Sequence, residues 1–227
     1  MRKLILFLSL VFPAGFIFAQ DPNQDTGDGP VTMNNLAGLL RTQLTITPAW
    51  SVTAKSGNNS GSIAGGRTNV YLHGTVEYYF DERFSMRGDG YYFVNKMKTP
   101  GGMKNNHTLE VGGSWHLWKG SMIDPFIGLG AGISYVQIQP ADITNGAGLV
   151  LKNYAYPAHL DPVWGPRAGV NFFSAKVFHF FVEAQYVMGS YRPSEGPILS
   201  LNEVRVSAGL GWNWVLLHKE KTLRPTI

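Results

Sequence analysis

The sequence has no cysteine, few charges and, after the first twenty residues, no long apolar run. Without cysteine there can be no disulfide bond, no lipidated cysteine anchor and no thiolate zinc site. Charged residues make up 15% of the chain, against about 25% in an average soluble domain. A formal net charge of only +4 does not indicate a nucleic-acid partner. Since a spanning helix needs ~20 apolar residues, any membrane crossing must use strands.

The two ends of the chain differ from its middle. Residues 1–19 begin with the basic pair Arg2 and Lys3 and continue into an apolar run, which predicts a cleaved secretory signal peptide. Residues 20–38 are rich in Asp, Asn, Gly and Pro and predict a flexible mature N-terminus. Residues 215–227 are interpreted as a short periplasmic tail.

Period-2 alternation of apolar and polar residues dominates the middle of the chain. In "TNVYLHGTVEYYF", for example, Val70 and Leu72 fall on one face, whereas His73 and Glu77 fall on the other. Eight such segments are predicted as strands, near residues 39–53, 68–80, 84–95, 107–119, 125–138, 164–174, 178–190 and 202–214. Short connections (81–83, 120–124 and 175–177) alternate with long ones (54–67, 96–106, 139–163 and 191–201).

This alternation of short and long connections is typical of an outer-membrane barrel. The sequence therefore predicts an all-β, antiparallel, up-and-down transmembrane barrel over residues 39–214. It would have a polar lumen, short periplasmic turns and long extracellular loops. Eight strands are predicted, or ten if the loop at 139–163 forms its own hairpin.

Aromatic residues cluster near both ends of the predicted strands, as in the interfacial belts of membrane barrels. With the N-terminus on the periplasmic side, the lower ends carry Tyr78, Phe80, Phe84, Trp115, Trp118, Phe126, Phe172, Phe180, Trp212 and Trp214. The upper ends carry Trp50, Tyr71, Tyr92, Tyr135, Trp164 and Tyr191. We expect both groups at the membrane interfaces.

The charged residues of the predicted strands alternate toward the lumen. The expected lumenal network comprises Arg41, Glu77, Arg87, Asp89, Glu110, Arg167, Glu183, Glu203 and Arg205. Pairing across the turn at 81–83 would set Glu77 opposite Arg87, where opposite charges attract. Arg87-Gly88-Asp89 has the form of a cell-adhesion tripeptide, but the alternation favours a strand that hides both charges.

Glycines at period 2 fit the same geometry. In "GLGAGIS", Gly128, Gly130 and Gly132 face inward, which leaves room for long Arg and Glu side chains. The string opens no helix and lacks the Lys-Ser/Thr of a phosphate-binding loop, so no nucleotide is expected. No other motif points to a cofactor.

Four segments carry a resemblance to known proteins: "VEYYFDERFSMRGDGYYF", "PFIGLGAGISY", "GPRAGVNFF…FFVEAQY" and "EVRVSAGLGWNW". They resemble the small eight-stranded outer-membrane β-barrel proteins of Gram-negative bacteria, of the OmpA/OmpX/OmpW type, with a PorT-like variant. The resemblance implies location in the cell outer membrane and insertion by the outer-membrane assembly machinery. That machinery reads an aromatic end to the last strand, which Trp214 would supply.

Three functions remain open at this point. The first is a non-enzymatic barrel with a largely plugged, charged lumen and a structural or loop-mediated binding role. The second is a narrow channel for small or apolar solutes, lined by His73 and His116. The third, suggested by the PorT-like resemblance, is an accessory role in a secretion system.

An enzyme that acts on lipids would need a Ser/His pair and an acid at the membrane-facing rim. His73, Ser85, Ser114 and His116 alternate inward instead, so no enzyme and no metal site are expected.

A monomer is expected. The loops carry Lys55, Arg67, Lys96, Lys98, Lys104 and Lys152, a basic rim that suits lipopolysaccharide. The loop at 139–163 is the expected site for a protein partner of unknown identity.

Overall fold

The computed structural model describes residues 37–51, 68–95, 102–118, 122–144, 150–154, 157–173, 177–192 and 198–215. The strands are β1 (Leu39–Ser51), β2 (Thr68–Tyr79), β3 (Phe84–Phe93), β4 (Met103–His116), β5 (Ile123–Ile138), β6 (Ala141–Thr144), β7 (Val150–Tyr154), β8 (His159–Phe173), β9 (Phe178–Tyr191), β10 (Leu199–Ser200) and β11 (Glu203–Val215). No helix in these ranges is long and apolar enough to cross a membrane.

Eight of these strands close into an antiparallel barrel, which confirms the predicted fold class. The order is β1-β2-β3-β4-β5-β8-β9-β11, and β11 pairs back onto β1 from Leu39↔Val215 to Ser51↔Glu203. β6 and β7 pair only with each other, and β10 adds two residues to the edge of β9. The barrel therefore has eight strands, and the hairpin in the loop at 139–163 lies outside it.

Several strands extend beyond their predicted limits. β4 begins at Met103, β5 at Ile123 and β8 at His159, each earlier than expected. In β4 a register shift between Met103 and Asn105 breaks the alternation that the sequence pattern relies on. The predicted signal peptide, most of the flexible N-terminus and all of the tail except Val215 lie outside the described residues.

The two ends of the barrel differ in their connections. The lower end holds the short connections β2–β3, β4–β5 and β8–β9 together with the start of β1, and the upper end holds the others. Barrel strands of 10 to 16 residues separate the two ends. At about 3.3 Å per residue they are long enough to cross a hydrocarbon core even when tilted.

The outer wall of the barrel is apolar and exposed. Ile46 is 67% exposed, Val111 66% and Leu129 56%. Apolar side chains in a packed core are instead almost fully buried. On the described parts of the eight barrel strands, the only exposed Asp, Glu, Lys or Arg is Lys104, at the irregular upper end of β4. A lipid-facing wall has this composition, because Arg or Lys at the bilayer midplane costs ~2–4 kcal/mol.

Most of the predicted interfacial aromatics stand on this wall near the strand ends. The exposed or half-buried members include Trp50, Tyr78, Phe80, Trp115, Tyr135, Phe172, Trp212 and Trp214. Tyr71, Tyr191 and Phe126 do not: each is buried inside the barrel, at 3% exposure or less. Their placement in the belts was wrong because each stands at an inward position of its strand, and the face of the strand, not its end, decides burial.

Candidate functional site

The lumen contains a buried ion-pair network. All nine charged residues predicted to point inward are at most 3% exposed. They form a lower, a middle and an upper cluster along the barrel axis. Buried charges are costly unless they are paired and hydrogen-bonded, so the contacts within each cluster decide whether the lumen is stable.

The middle cluster is centred on Arg87 of β3. Its Nε donates to Asp89 Oδ2 at 3.0 Å, and its Nη1 donates to Glu183 Oε2 across the lumen at 2.5 Å. Asp89 also accepts from Arg167 Nη1 of β8 at 2.5 Å and from the hydroxyl of Thr75 at 2.8 Å. Through these two guanidinium groups β3 is tied across the lumen to the neighbouring strands β8 and β9.

The upper cluster is centred on Arg205 of β11. Its Nε donates to Glu203 Oε1 at 2.7 Å and its Nη1 donates to Glu110 Oε1 at 3.0 Å. The guanidinium lies over the ring of Tyr91, 4.1 Å from the centroid, a cation–π geometry. Glu110 also accepts from Arg167 Nη2 at 3.2 Å, so Arg167 joins the upper and middle clusters.

The lower cluster joins five strands. Arg41 of β1 donates to Glu77 of β2, which also accepts from the Ser85 hydroxyl of β3 at 2.5 Å. Ser85 Oγ lies 3.0 Å from His116 Nε2 of β4, and His116 Nδ1 lies 2.9 Å from Asp124 Oδ2 of β5. The sequence interpretation missed Asp124, because it assigned this residue to a turn. Its inward alternation with Phe126 and Gly128 is the signal that could have identified it.

The cross-strand partners differ from those expected. The register does set Glu77 opposite Arg87 and Thr75 opposite Asp89. The Arg87 guanidinium nevertheless contacts Asp89 and Glu183, while Glu77 pairs with Arg41 from the strand on its other side. A long side chain in a narrow lumen can reach beyond its direct neighbour, so register alone does not choose the partner.

Glycine allows close packing at two places in the barrel. A Cβ on Gly130 would collide with Nη2 of Arg167, and a Cβ on Gly132 would collide with the backbone carbonyl of Leu109. The first glycine therefore frees the volume that the guanidinium fills. The second allows β4 and β5 to approach closely.

Apolar side chains fill the lumen above and below the charges. Two upper clusters share contact with Met103: one consists of Val136, Ile138, Val163, Val187, Tyr191, Leu199 and Leu201, and the other of Ala49, Tyr71, Tyr91 and Phe93. Leu199 and Leu201, which lie between β9 and β11, thus cover the upper end of the lumen. Leu39 and Tyr79 pack together at the lower end, where Phe173 is also buried.

The Arg87-Gly88-Asp89 tripeptide is inaccessible in this geometry. Arg87 and Asp89 are at most 2% exposed and hydrogen-bond to each other, so a receptor could not reach the tripeptide. Within the described ranges, no group of three or more His, Cys, Asp or Glu residues is placed to hold a metal ion. Of the predicted basic rim, Lys104 is exposed at the upper end of β4, and the structure describes none of the other five side chains.

Comparisons with known proteins support the fold. The outer membrane protein OprG from Pseudomonas aeruginosa is similar over 78% of this chain and 96% of its own, with a TM-score of 0.51 and 12% identity. Neisserial surface protein A is similar over 78% of this chain and 97% of its own, with a TM-score of 0.49 and 12% identity. The N-terminal β-barrel domain of P. aeruginosa OprF is similar over 78% of this chain and 98% of its own, with a TM-score of 0.46 and 10% identity. No family model and no curated protein matches the sequence. The chain has the fold of the small eight-stranded outer-membrane β-barrels.

Proposed function

We propose that this protein is an integral outer-membrane barrel that does not conduct, with a structural role or a binding role at its upper end. It is exported, inserted by the outer-membrane assembly machinery and oriented with its lower end toward the periplasm. No enzymatic activity is part of this function. The observation that carries the proposal is the filled lumen.

Two features support a position in the membrane. The outer wall is apolar around its circumference, and its one exposed charge on the described barrel strands, Lys104, lies at the upper end of β4. Closure of β11 onto β1 also leaves no sheet edge to face lipid, where an unpaired backbone group would cost several kcal/mol.

Three ion-pair clusters and the apolar residues above them support a closed lumen. Arg41, Arg87 and Arg205 cross the interior at three heights and are at most 2% exposed. Tyr71, Tyr91 and Phe93 above them are fully buried. Eight-stranded barrels have an interior just wide enough to be filled by side chains, so this arrangement leaves no room for a solute.

The upper end is where binding fits best. β6 and β7 continue the β5–β8 connection as a separate hairpin, from Ala141↔Tyr154 to Thr144↔Val150. A rigid barrel that presents such a connection is a suitable platform for a partner. Lipopolysaccharide, met by a basic rim, and a protein of unknown identity are the two partners proposed.

A narrow channel for small or apolar solutes is the second candidate. It would require the upper connection that carries Leu199 and Leu201 to move out of the lumen and the guanidinium groups to be displaced. An accessory role in a secretion system is compatible with the closed barrel and would act through the same upper end.

Planar-bilayer recording of the full-length, refolded protein tests the closed lumen. We expect no discrete single-channel openings, because buried charged and apolar side chains fill the described lumen from its lower to its upper end. Insertion is established in parallel by resistance of the barrel to protease, and a porin in the same bilayer controls for detection. Steady openings from the inserted protein would contradict the proposal and favour the channel.

A further inference from the structure

Ser85, His116 and Asp124 are spaced like the members of a Ser-His-Asp triad. The hydroxyl of Ser85 is 3.0 Å from His116 Nε2, and Asp124 Oδ2 is 2.9 Å from His116 Nδ1. In a working triad the imidazole must be neutral, so that Nε2 can take the proton of the serine. The hydrogen bonds around His116 decide whether it can do so.

The Nδ1 side of the ring requires a proton. Asp124 is an acceptor when ionised, and its Oδ2 also accepts from the Asn171 amide at 3.0 Å and lies 3.9 Å from the Arg41 guanidinium. Tyr79 OH also lies near Nδ1, but at 3.4 Å, against 2.9 Å for the carboxylate. The shorter, charge-assisted contact is the stronger one, so Nδ1 donates to Asp124.

The Nε2 side requires a second proton. The single hydroxyl proton of Ser85 is directed to Glu77 Oε1 at 2.5 Å, so Ser85 Oγ can only accept from His116. Glu77 Oε1 itself lies 3.6 Å from Nε2 and is also an acceptor. Both ring nitrogens therefore face acceptors.

We propose that His116 is a buried proton-binding site, held as the doubly protonated imidazolium between Asp124 and the Ser85–Glu77 pair. At the lower end of the lumen, the hydrogen bonds of this imidazolium and of Ser85 link β2, β3, β4 and β5. Arg41 adds β1 through its ion pair with Glu77. At the lower end Arg41 faces two buried carboxylates, Glu77 and Asp124, so a positive imidazolium also reduces an unfavourable excess of negative charge.

The proton on Nε2 determines whether His116 can act as a base. Because Nε2 already carries a proton, it cannot act as the base for Ser85, and the hydroxyl remains an unactivated structural group. The triad-like spacing therefore belongs to a clamp and not to a hydrolase. If alkaline pH removes the Nε2 proton, a bare nitrogen is left against Ser85 Oγ, whose own proton is directed to Glu77, and the lower end loosens.

Nitrogen-15 NMR of histidine-labelled, full-length protein in lipid nanodiscs tests the proposal. At about pH 8, where an ordinary imidazole is neutral, we expect protons on both ring nitrogens of His116. His107 is the internal control: the backbone N–H of Phe93 donates to its Nδ1 at 3.1 Å, so it should carry a single ring proton. A bare ring nitrogen on His116 would overturn the proposal.

Two variants complete the test. His116→Gln assigns the signal, and Ser85→Ala provides a second route if that variant does not fold. In Ser85→Ala the imidazolium should persist, because Nε2 then faces Glu77 directly. Loss of one ring proton in this variant would refute the proposal, as would labelling of the wild-type protein at Ser85 by a fluorophosphonate probe. Neither result depends on whether the barrel conducts.

Discussion

Replacing Arg87 with alanine is expected to lower the free energy of unfolding by about 3–5 kcal/mol. The variant removes the guanidinium that pairs with Glu183 and one of the two that pair with Asp89, and these carboxylates are at most 3% exposed. Removing one member of a buried pair costs more than the pair itself contributes, because the remaining charge stays out of water. Urea unfolding in lipid vesicles, followed by tryptophan fluorescence, measures the loss.

The matched control is Arg83→Ala. Arg83 is exposed in the connection between β2 and β3, so its loss should change the free energy of unfolding by less than about 1 kcal/mol. If Arg87→Ala unfolded at the same urea concentration as Arg83→Ala, the lumen would have to be hydrated. The closed barrel would then be wrong.

An arginine in place of Val111 is expected to destabilise the barrel by about 2–4 kcal/mol. Val111 is 66% exposed on the outward face of β4, between the lower aromatic belt and the upper end. In water an exposed arginine would be harmless there. In a bilayer it must be carried into hydrocarbon, so the cost reports membrane immersion directly. Equilibrium unfolding from vesicles gives the difference from wild type.

Val94→Arg is the control for this substitution. Val94 is 48% exposed and lies just beyond the upper end of β3, so the same change should cost only about 0–1 kcal/mol near the interface. Equal effects at the two positions would contradict a hydrocarbon layer around the middle of the barrel.

The face of each residue could be predicted from the sequence because alternation in a strand has a fixed period. The inward position of Arg87 follows from the apolar residues on either side of it, and the burial of nine charges follows in the same way. The interfacial position of Trp50 follows from the same pattern. The strand period and the strand ends were therefore enough to predict the apolar outer wall and most of its interfacial aromatic residues.

The partners of the charges could not be predicted, because they depend on distances across the lumen. Glu183 lies 96 residues after Arg87 in the chain, and their contact exists only once the barrel has closed. Asp124 was missed for a related reason, since the strand that positions it begins two residues earlier than the pattern indicated. Tyr71 shows the opposite error, where proximity to a strand end outweighed an alternation that already pointed inward.

The reactivity of a single cysteine at position 207 tests the filled lumen most directly. Ser207 is 2% exposed, and its hydroxyl lies 2.7 Å from Thr47 Oγ1 in the barrel interior. Since the chain has no cysteine of its own, Ser207→Cys introduces a unique thiol. A charged, water-soluble thiol reagent should not label it in the folded, membrane-inserted protein and should label it fully after unfolding. Labelling of the folded barrel at a rate close to that of the unfolded chain would contradict a closed lumen.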